Sequence, residues 1–383
     1  MGYMQQMTIS QKQFMALLRA GLWGKEADAD LFRAGVDWKT VFSLAKQQSV
    51  LALAANVVLN DSALVETLPA GMKEKLKAFV LMNLSTHSML NNTLLQVVAT
   101  LNVAGIDSVL LKGQGIARNY PVPELRACGD IDIYVGQENY LKACEVLGTM
   151  ASWKEDGEPM ENTKHYDIRI GKTTVEIHRF SDVNASKRLD RIYQGYSDEG
   201  LSRGLRVLDF AGTQVNTPAD DFNAFYIFNH LWHHFATSGV GLRQFCDWML
   251  FLHNHKDGID LVKLRQIIVD MDLMRPWQAF GCVLVDVLGM PADEFPFYDA
   301  SASGKVGRIM RHVFEEGNFG QERSMYGDRR GEGYFYRKVK SFLLHAGRSF
   351  QLFMIFPAQV ARQFGNTLRS GFAAVWKDNF KRK

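Results

Sequence analysis

The sequence predicts an α+β protein in which a small mixed sheet is flanked by an N-terminal and a C-terminal helical region. Three observations carry this. Residues 8–100 hold apolar side chains at helical spacing and few β-type runs. Between about 106 and 180, short alternating runs take turns with helical ones. From Pro218 onward the helical spacing returns. The expected division is 1–100, 101–205 and 206–383, the last segment ending in a basic tail.

Within the first segment, Thr8 or Ser10 can cap a helix through "QKQFMALLRAGL", ended by Gly21 or Gly24. Two more helical runs follow, and Gly105 has the position of a C-terminal cap. "IDSVLLKG" then reads as a short strand, "QGIARNY" as a helix start and "PVPELRACG" as a loop. "DIDIYV" is a second strand and "ENYLKACEVLGTM" an amphipathic helix. "YDIRI" and "TTVEIH" form a hairpin around Gly171 and Lys172. "PADDFNAFYIFNHLWHHF" opens with proline and two aspartates, as helix N-termini prefer.

The chain has 383 residues, 47% hydrophobic and 22% charged, an ordinary soluble balance that allows a sizeable core. Its cysteines, Cys128, Cys144, Cys246 and Cys282, form no CxxC pair, which argues against a structural zinc site and a disulfide scaffold. A reducing, cytoplasmic setting is expected, with neither a leader nor a spanning helix. Net charge is +3, yet Tyr334–Lys383 carries +9 and the remainder −6. That block suits an anionic membrane surface or nucleic acid, or else a solvated helix face. Its apolar residues, Phe342 to Val375, fit either a helix pair lying on a membrane or two helices packed on the body and broken at Pro357.

The acids are the informative feature. In a strand, residues two apart share a face at about 6–7 Å. Asp130 and Asp132 therefore stand side by side, and buried without a counter-charge they would repel each other. A divalent cation removes the conflict, and Mg²⁺ takes one or two carboxylates together with substrate phosphates. Glu176 projects from one face of "TTVEIH". If that strand lies beside "DIDIYV", three carboxylates converge and could hold two ions. Lys112 and Gly113 end a strand where a helix opens, a setting that admits phosphates, and Arg118 and Arg126 flank the acidic strand.

"LLKG", then an arginine and "GDIDIYV", then "VEIH", resembles the nucleotidyltransferase fold of the DNA polymerase β superfamily. More narrowly, the chain resembles a bacterial group of uncharacterised nucleotidyltransferase-like proteins reading "LKG", "DIDLLV" and "VELHW", followed by a histidine-bearing helix and an "LR…D" motif. Here "HLWHHF" and "GLRQFCDW" stand in those places. The resemblance covers about 100–255. It implies Asp130, Asp132 and Glu176 as catalytic and metal-binding residues for Mg²⁺ or Mn²⁺. It also implies an NTP substrate with Gly113 in the phosphate turn and an unknown acceptor; the residues themselves add Lys112, Gln114, Arg126 and Arg243 as candidate nucleotide-binding positions. Two departures stand out: Gln114 replaces the usual serine, and Asp130 comes seventeen positions after Gly113.

Other readings stay open. The cleft could bind nucleotide without turnover, as a sensor, an antitoxin-like protein or an accessory of polysaccharide synthesis, or the tail could make the protein an adaptor. "GQGIAR" lacks the small residue and following acid of a dinucleotide site. His230 and His234 have metal-ligand spacing but no HExxH glutamate, so packing or cleft lining is the alternative. His178 either supports the site or touches phosphate. Arg243 and Asp247 are either a helix-surface pair, or Arg243 enters the cleft.

Overall fold

Thr8 opens the first helix, as a capping box with Gln11, and Gly24 closes it in the left-handed conformation. The computed structural model describes residues 3–155, 157, 159, 163–184, 186–317 and 352–361. Helices α1 (Ile9–Trp23), α2 (Trp38–Gln47), α3 (Leu51–Leu59), α4 (Ser62–Glu66) and the long α5 (Met72–Val103) form the N-terminal region. Gly105 ends α5 with φ 65°, and the backbone N–H of Ile106 returns to the carbonyl of Leu101.

β1 (Val109–Leu110), α6 (Gln114–Ala117), β2 (Asp130–Tyr134), α7 (Gly136–Gly148), β3 (Trp153–Lys154), β4 (His165–Ile170) and β5 (Thr173–His178) follow. Next come α8 (Lys187–Gly200), β6 (Arg206–Phe210) and β7 (Thr213–Thr217). The strands make one mixed sheet in the order β3-β4-β5-β2-β1-β7-β6. The fold is α+β, as predicted. The sheet continues to Thr217, past residue 205, because β7 pairs in parallel with β1.

The two sheet faces differ sharply. Ile131, Ile133, Val175 and Ile177 are completely buried and pack with Leu94 and Val97 of α5 and Tyr140 and Leu147 of α7. Each such aliphatic side chain contributes about 1.5–3 kcal/mol. Strand alternation then forces Asp130, Asp132 and Glu176 onto the other face. That face meets the C-terminal helices α9 (Asp220–Thr237) and α10 (Leu242–His255).

α11 (Leu261–Asp270), α12 (Met274–Val283) and α13 (Val306–Glu316) follow, and a further short helical turn spans 357–361. Phe14, Leu53 and Val58 from the start of the chain share a core with Phe228, Trp248, Phe280 and Val313. Polar contacts reinforce this closure. Arg19 Nε donates to the Val287 carbonyl at 2.7 Å and Trp23 Nε1 to that of Leu288 at 2.8 Å. Gln48, fully buried, accepts from the N–H of Leu242 and donates to the carbonyl of Val313. In the segment 352–361, Leu352, Ile355, Phe356 and Val360 are buried, with Phe356 edge-on to Trp232 at 5.2 Å. This short piece therefore packs on the body. The rest of the expected tail helices and basic block lies outside the described residues. Among the described helices, none is long and apolar enough to cross a membrane.

Candidate functional site

β2 and β5 run parallel with Asp132 opposite Glu176 and Asp130 opposite Thr174. This register places the three acids on one face, at the floor of a cleft of about 250 Å³. Lys112, Gly113 and Lys164 lie at its sides, and His230, His234 and Arg243 come from α9 and α10. Two larger cavities, of about 520 and 580 Å³, lie elsewhere and contain none of these acids.

Cations already balance part of the charge. Lys112 Nζ and His178 Nε2 each lie 3.1 Å from Asp132 Oδ1, and His178 Nε2 is also 3.1 Å from Glu176 Oε2. His178 is 1% exposed, and its Nδ1 faces the Phe180 carbonyl at 3.2 Å. With acceptors at both nitrogens, a doubly protonated ring satisfies every contact. Burial alone would lower the pKa of His178 and raise those of Asp132 and Glu176. Their mutual hydrogen bonds, with Lys112 beside Asp132, reverse all three shifts. Asp130 has no such partner. Burial and the neighbouring Asp132 push its pKa up to about 6. The repulsion expected from the sequence is thus concentrated on one carboxylate. The three acids offer hard oxygen donors of the kind Mg²⁺ takes, but among the described residues it is His165, Glu176 and His178, not Asp130, Asp132 and Glu176, whose ligand atoms are gathered into one cluster.

Gly113 turns the chain from β1 into α6 with φ 61° and ψ −118°, a conformation for glycine alone. An added Cβ would sit 3.3 Å from the Asp130 carbonyl. Gly113→Ala should cost about 1–2 kcal/mol in thermal or denaturant unfolding. Gln114 is fully buried, and its side chain does not line the cleft. Arg118 stacks over Phe210 at 4.7 Å and donates to the Asp209 carbonyl, away from the acids.

Arg126 is placed differently from the sequence expectation. It lines the cleft, but its Nε and Nη2 form a fork on Asp247 at 2.7 and 2.8 Å, and Tyr120 donates to the same carboxylate at 2.7 Å. Arg126 and Asp247 are each about 5% exposed. Asp247 is therefore not a surface partner of Arg243. Arg243 enters the cleft, where its Nη1 donates to the Ala127 carbonyl at 2.8 Å and its Nε is buried without a hydrogen-bond partner. His230 and His234 meet edge to face at 4.4 Å, with no third metal-ligating side chain clustered beside them among the described residues. Burial, then Lys112, holds His230 well below the usual histidine range. Burial, then His233, brings His234 to about 3. Both are neutral cleft lining.

Three polar residues of this face were not singled out from sequence. Asp167 lies opposite Glu176 and His165 opposite His178 across the β4–β5 ladder. Burial, then Glu176, raises Asp167 to about 6. A two-residue turn at Gly171 and Lys172 fixes these pairings, so the hairpin itself was the available signal. Lys164, 3.1 Å from Asp182, had no sequence signal.

Comparison with solved structures finds an antigenic nucleotidyltransferase-like protein from Paracoccidioides brasiliensis. It is 13% identical, with 53% of this chain and 92% of that chain covered and a TM-score of 0.30, too loose a likeness to bear weight. No curated protein matches the chain. A family model described as "Uncharacterised nucleotidyltransferase" matches residues 34–289.

Proposed function

The chain belongs to the uncharacterised nucleotidyltransferase family, whose model spans more than half of it, and from that premise we propose that it moves a nucleotidyl group from an NTP to an acceptor in a Mg²⁺-dependent reaction. The observation that carries this is the pairing of Asp132 with Glu176 across parallel strands, with Asp130 beside them in one cleft.

Asp130, Asp132 and Glu176 would hold Mg²⁺, with Mn²⁺ as the alternative. Bound there, the ion would neutralise phosphate charge and lower the pKa of the attacking hydroxyl. Lys112 would set a positive charge at the side of the cleft, held by Asp132. Gly113 would let phosphates approach the end of β2. Arg243, bridged to no carboxylate among the described residues, would offer its Nε to a phosphate oxygen. Arg126 would act at one remove, fixing α10 and hence Arg243. The cleft is smaller than the roughly 300–1,000 Å³ of whole-ligand pockets, so the phosphates would enter it and the base would lie at its mouth. Catalysis would rest on positioning and charge neutralisation.

A second reading, nucleotide binding without turnover, is favoured by the two cations already seated on Asp132. Turnover of labelled NTP separates the two. Calorimetry with Mg²⁺ and each NTP tests both, and Cys128 reports where the nucleotide sits. Of the four cysteines it is the one not buried, and it lines the cleft. One thiol should react in the native protein, and Mg²⁺ with NTP should slow that reaction at least tenfold. Binding without protection of Cys128 would place the nucleotide outside this cleft.

A further inference from the structure

Beside the oxygen-rich acids lies a second group with different chemistry. One ligand atom from each of His165, Glu176 and His178 lies within 4.8 Å of the others. Glu176 Oε2 is 3.1 Å from His178 Nε2 and 3.8 Å from His165 Nδ1. In a tetrahedral shell, ligand atoms about 2.1 Å from one ion lie about 3.4 Å apart, so a set spanning up to 4.8 Å would have to close by about 1–1.5 Å through side-chain rotation.

The outer contacts point the same way. A metal-bound histidine turns its other ring nitrogen to a carbonyl or carboxylate, which sets tautomer and orientation. His178 Nδ1 faces the Phe180 carbonyl at 3.2 Å. His165 Nε2 faces Asp167 Oδ1 at 3.5 Å. His165 Nδ1, on the Glu176 side, is a buried atom with no hydrogen-bond partner, and so is Asp167 Oδ1. Leaving such atoms unmatched is costly. An ion at Nδ1 would use the first and orient the ring toward the second.

We propose that His165, Glu176 and His178 form a second cation site, sharing Glu176 with the oxygen site, that takes a Zn²⁺-type transition ion in preference to Mg²⁺, the ion displacing the proton from His178 Nε2 to solvent. Two imidazole nitrogens and one carboxylate match the borderline ions, whereas Mg²⁺ favours oxygen. The site needs only these side chains and stands apart from the nucleotidyl-transfer reading.

Co²⁺ is the probe, titrated into chelator-stripped full-length protein without nucleotide and followed by its visible absorption. One ion should bind per chain, resist a hundredfold excess of Mg²⁺ and yield to Zn²⁺. His165→Ala should weaken binding at least tenfold. His165 is about a third exposed, so the fold should tolerate the change. Asp130→Asn should bind Co²⁺ as wild type does. Unchanged Co²⁺ affinity in His165→Ala, displacement by Mg²⁺, or loss of binding in Asp130→Asn would each overturn the proposal. None of these results depends on whether Mg²⁺ and NTP bind or turn over.

Discussion

Asp130→Asn is expected to lower nucleotidyl transfer by about a thousandfold or more, yet to leave the metal-free protein more stable than wild type. Losing one carboxylate from the proposed ion site removes several kcal/mol of charge stabilisation, and about 4 kcal/mol is a factor of about 10³. Stability moves the other way because Asp130 is partly buried beside Asp132, with no hydrogen bond of its own among the described residues. Its pKa rises from 3.8 to about 6 on folding. The native state therefore holds this proton more tightly than the unfolded chain, and this group's contribution falls as pH climbs from about 4 to 6. Above pH 6 the full penalty stands, at roughly 1–3 kcal/mol for this partly exposed group. Urea unfolding in chelator at several pH values checks it. The advantage of the asparagine variant should grow between pH 4 and 6 and then level off. Mg²⁺ should raise the melting temperature of wild type more than that of the variant. An asparagine variant less stable than wild type at pH 7.5 would show that Asp130 is not strained by its neighbours.

Asp247→Ala should be among the most destabilising single changes in the molecule, at about 3–5 kcal/mol. The carboxylate takes both prongs of the Arg126 fork and the Tyr120 hydroxyl, all of them buried. Removing it leaves a guanidinium in the interior with nothing to balance it. Arg126→Met combined with Asp247→Leu should recover most of the loss, since an apolar pair of similar volume avoids the desolvation cost. Denaturant midpoints measure all three proteins. A cost below about 1 kcal/mol for Asp247→Ala would mean that Arg126 is free to leave its partner, and would return it to the candidates for phosphate binding.

The contrast between Arg126 and Arg243 marks how far the sequence could be read. Alternation in "DIDIYV" and "TTVEIH" was enough to place three acids on two strand faces, because the apolar half of each strand admits only one orientation. That the strands would be parallel neighbours depended on a crossover through α7, β3 and β4, which periodicity does not specify. Local spacing offered Asp247 to Arg243, four residues apart on one helix, as one of two readings, the other being entry of Arg243 into the cleft. The fold gives Asp247 to Arg126, 121 residues away, because that side of α10 is buried against the loop before β2. The hairpin of β6 and β7 was missed for a related reason. Its turn is Ala211-Gly212 with positive φ at both positions, where Asn-Gly or Asp-Gly would have announced it. Val207 on β6 is about half exposed, so no continuous apolar stripe marks the strand either.

The contacts of Arg19 and Trp23 with residues 286–288 bear on how the protein is made. At roughly 5–20 residues per second, on the order of ten to fifty seconds of synthesis separate α1 from the segment that covers it. Phe14, Leu18 and the apolar side of α3 leave the ribosome before Phe280 exists to meet them. During that interval the nascent chain carries an unshielded apolar surface. Its yield in a cell will therefore depend on elongation rate and chaperone supply as much as on the stability of the finished fold.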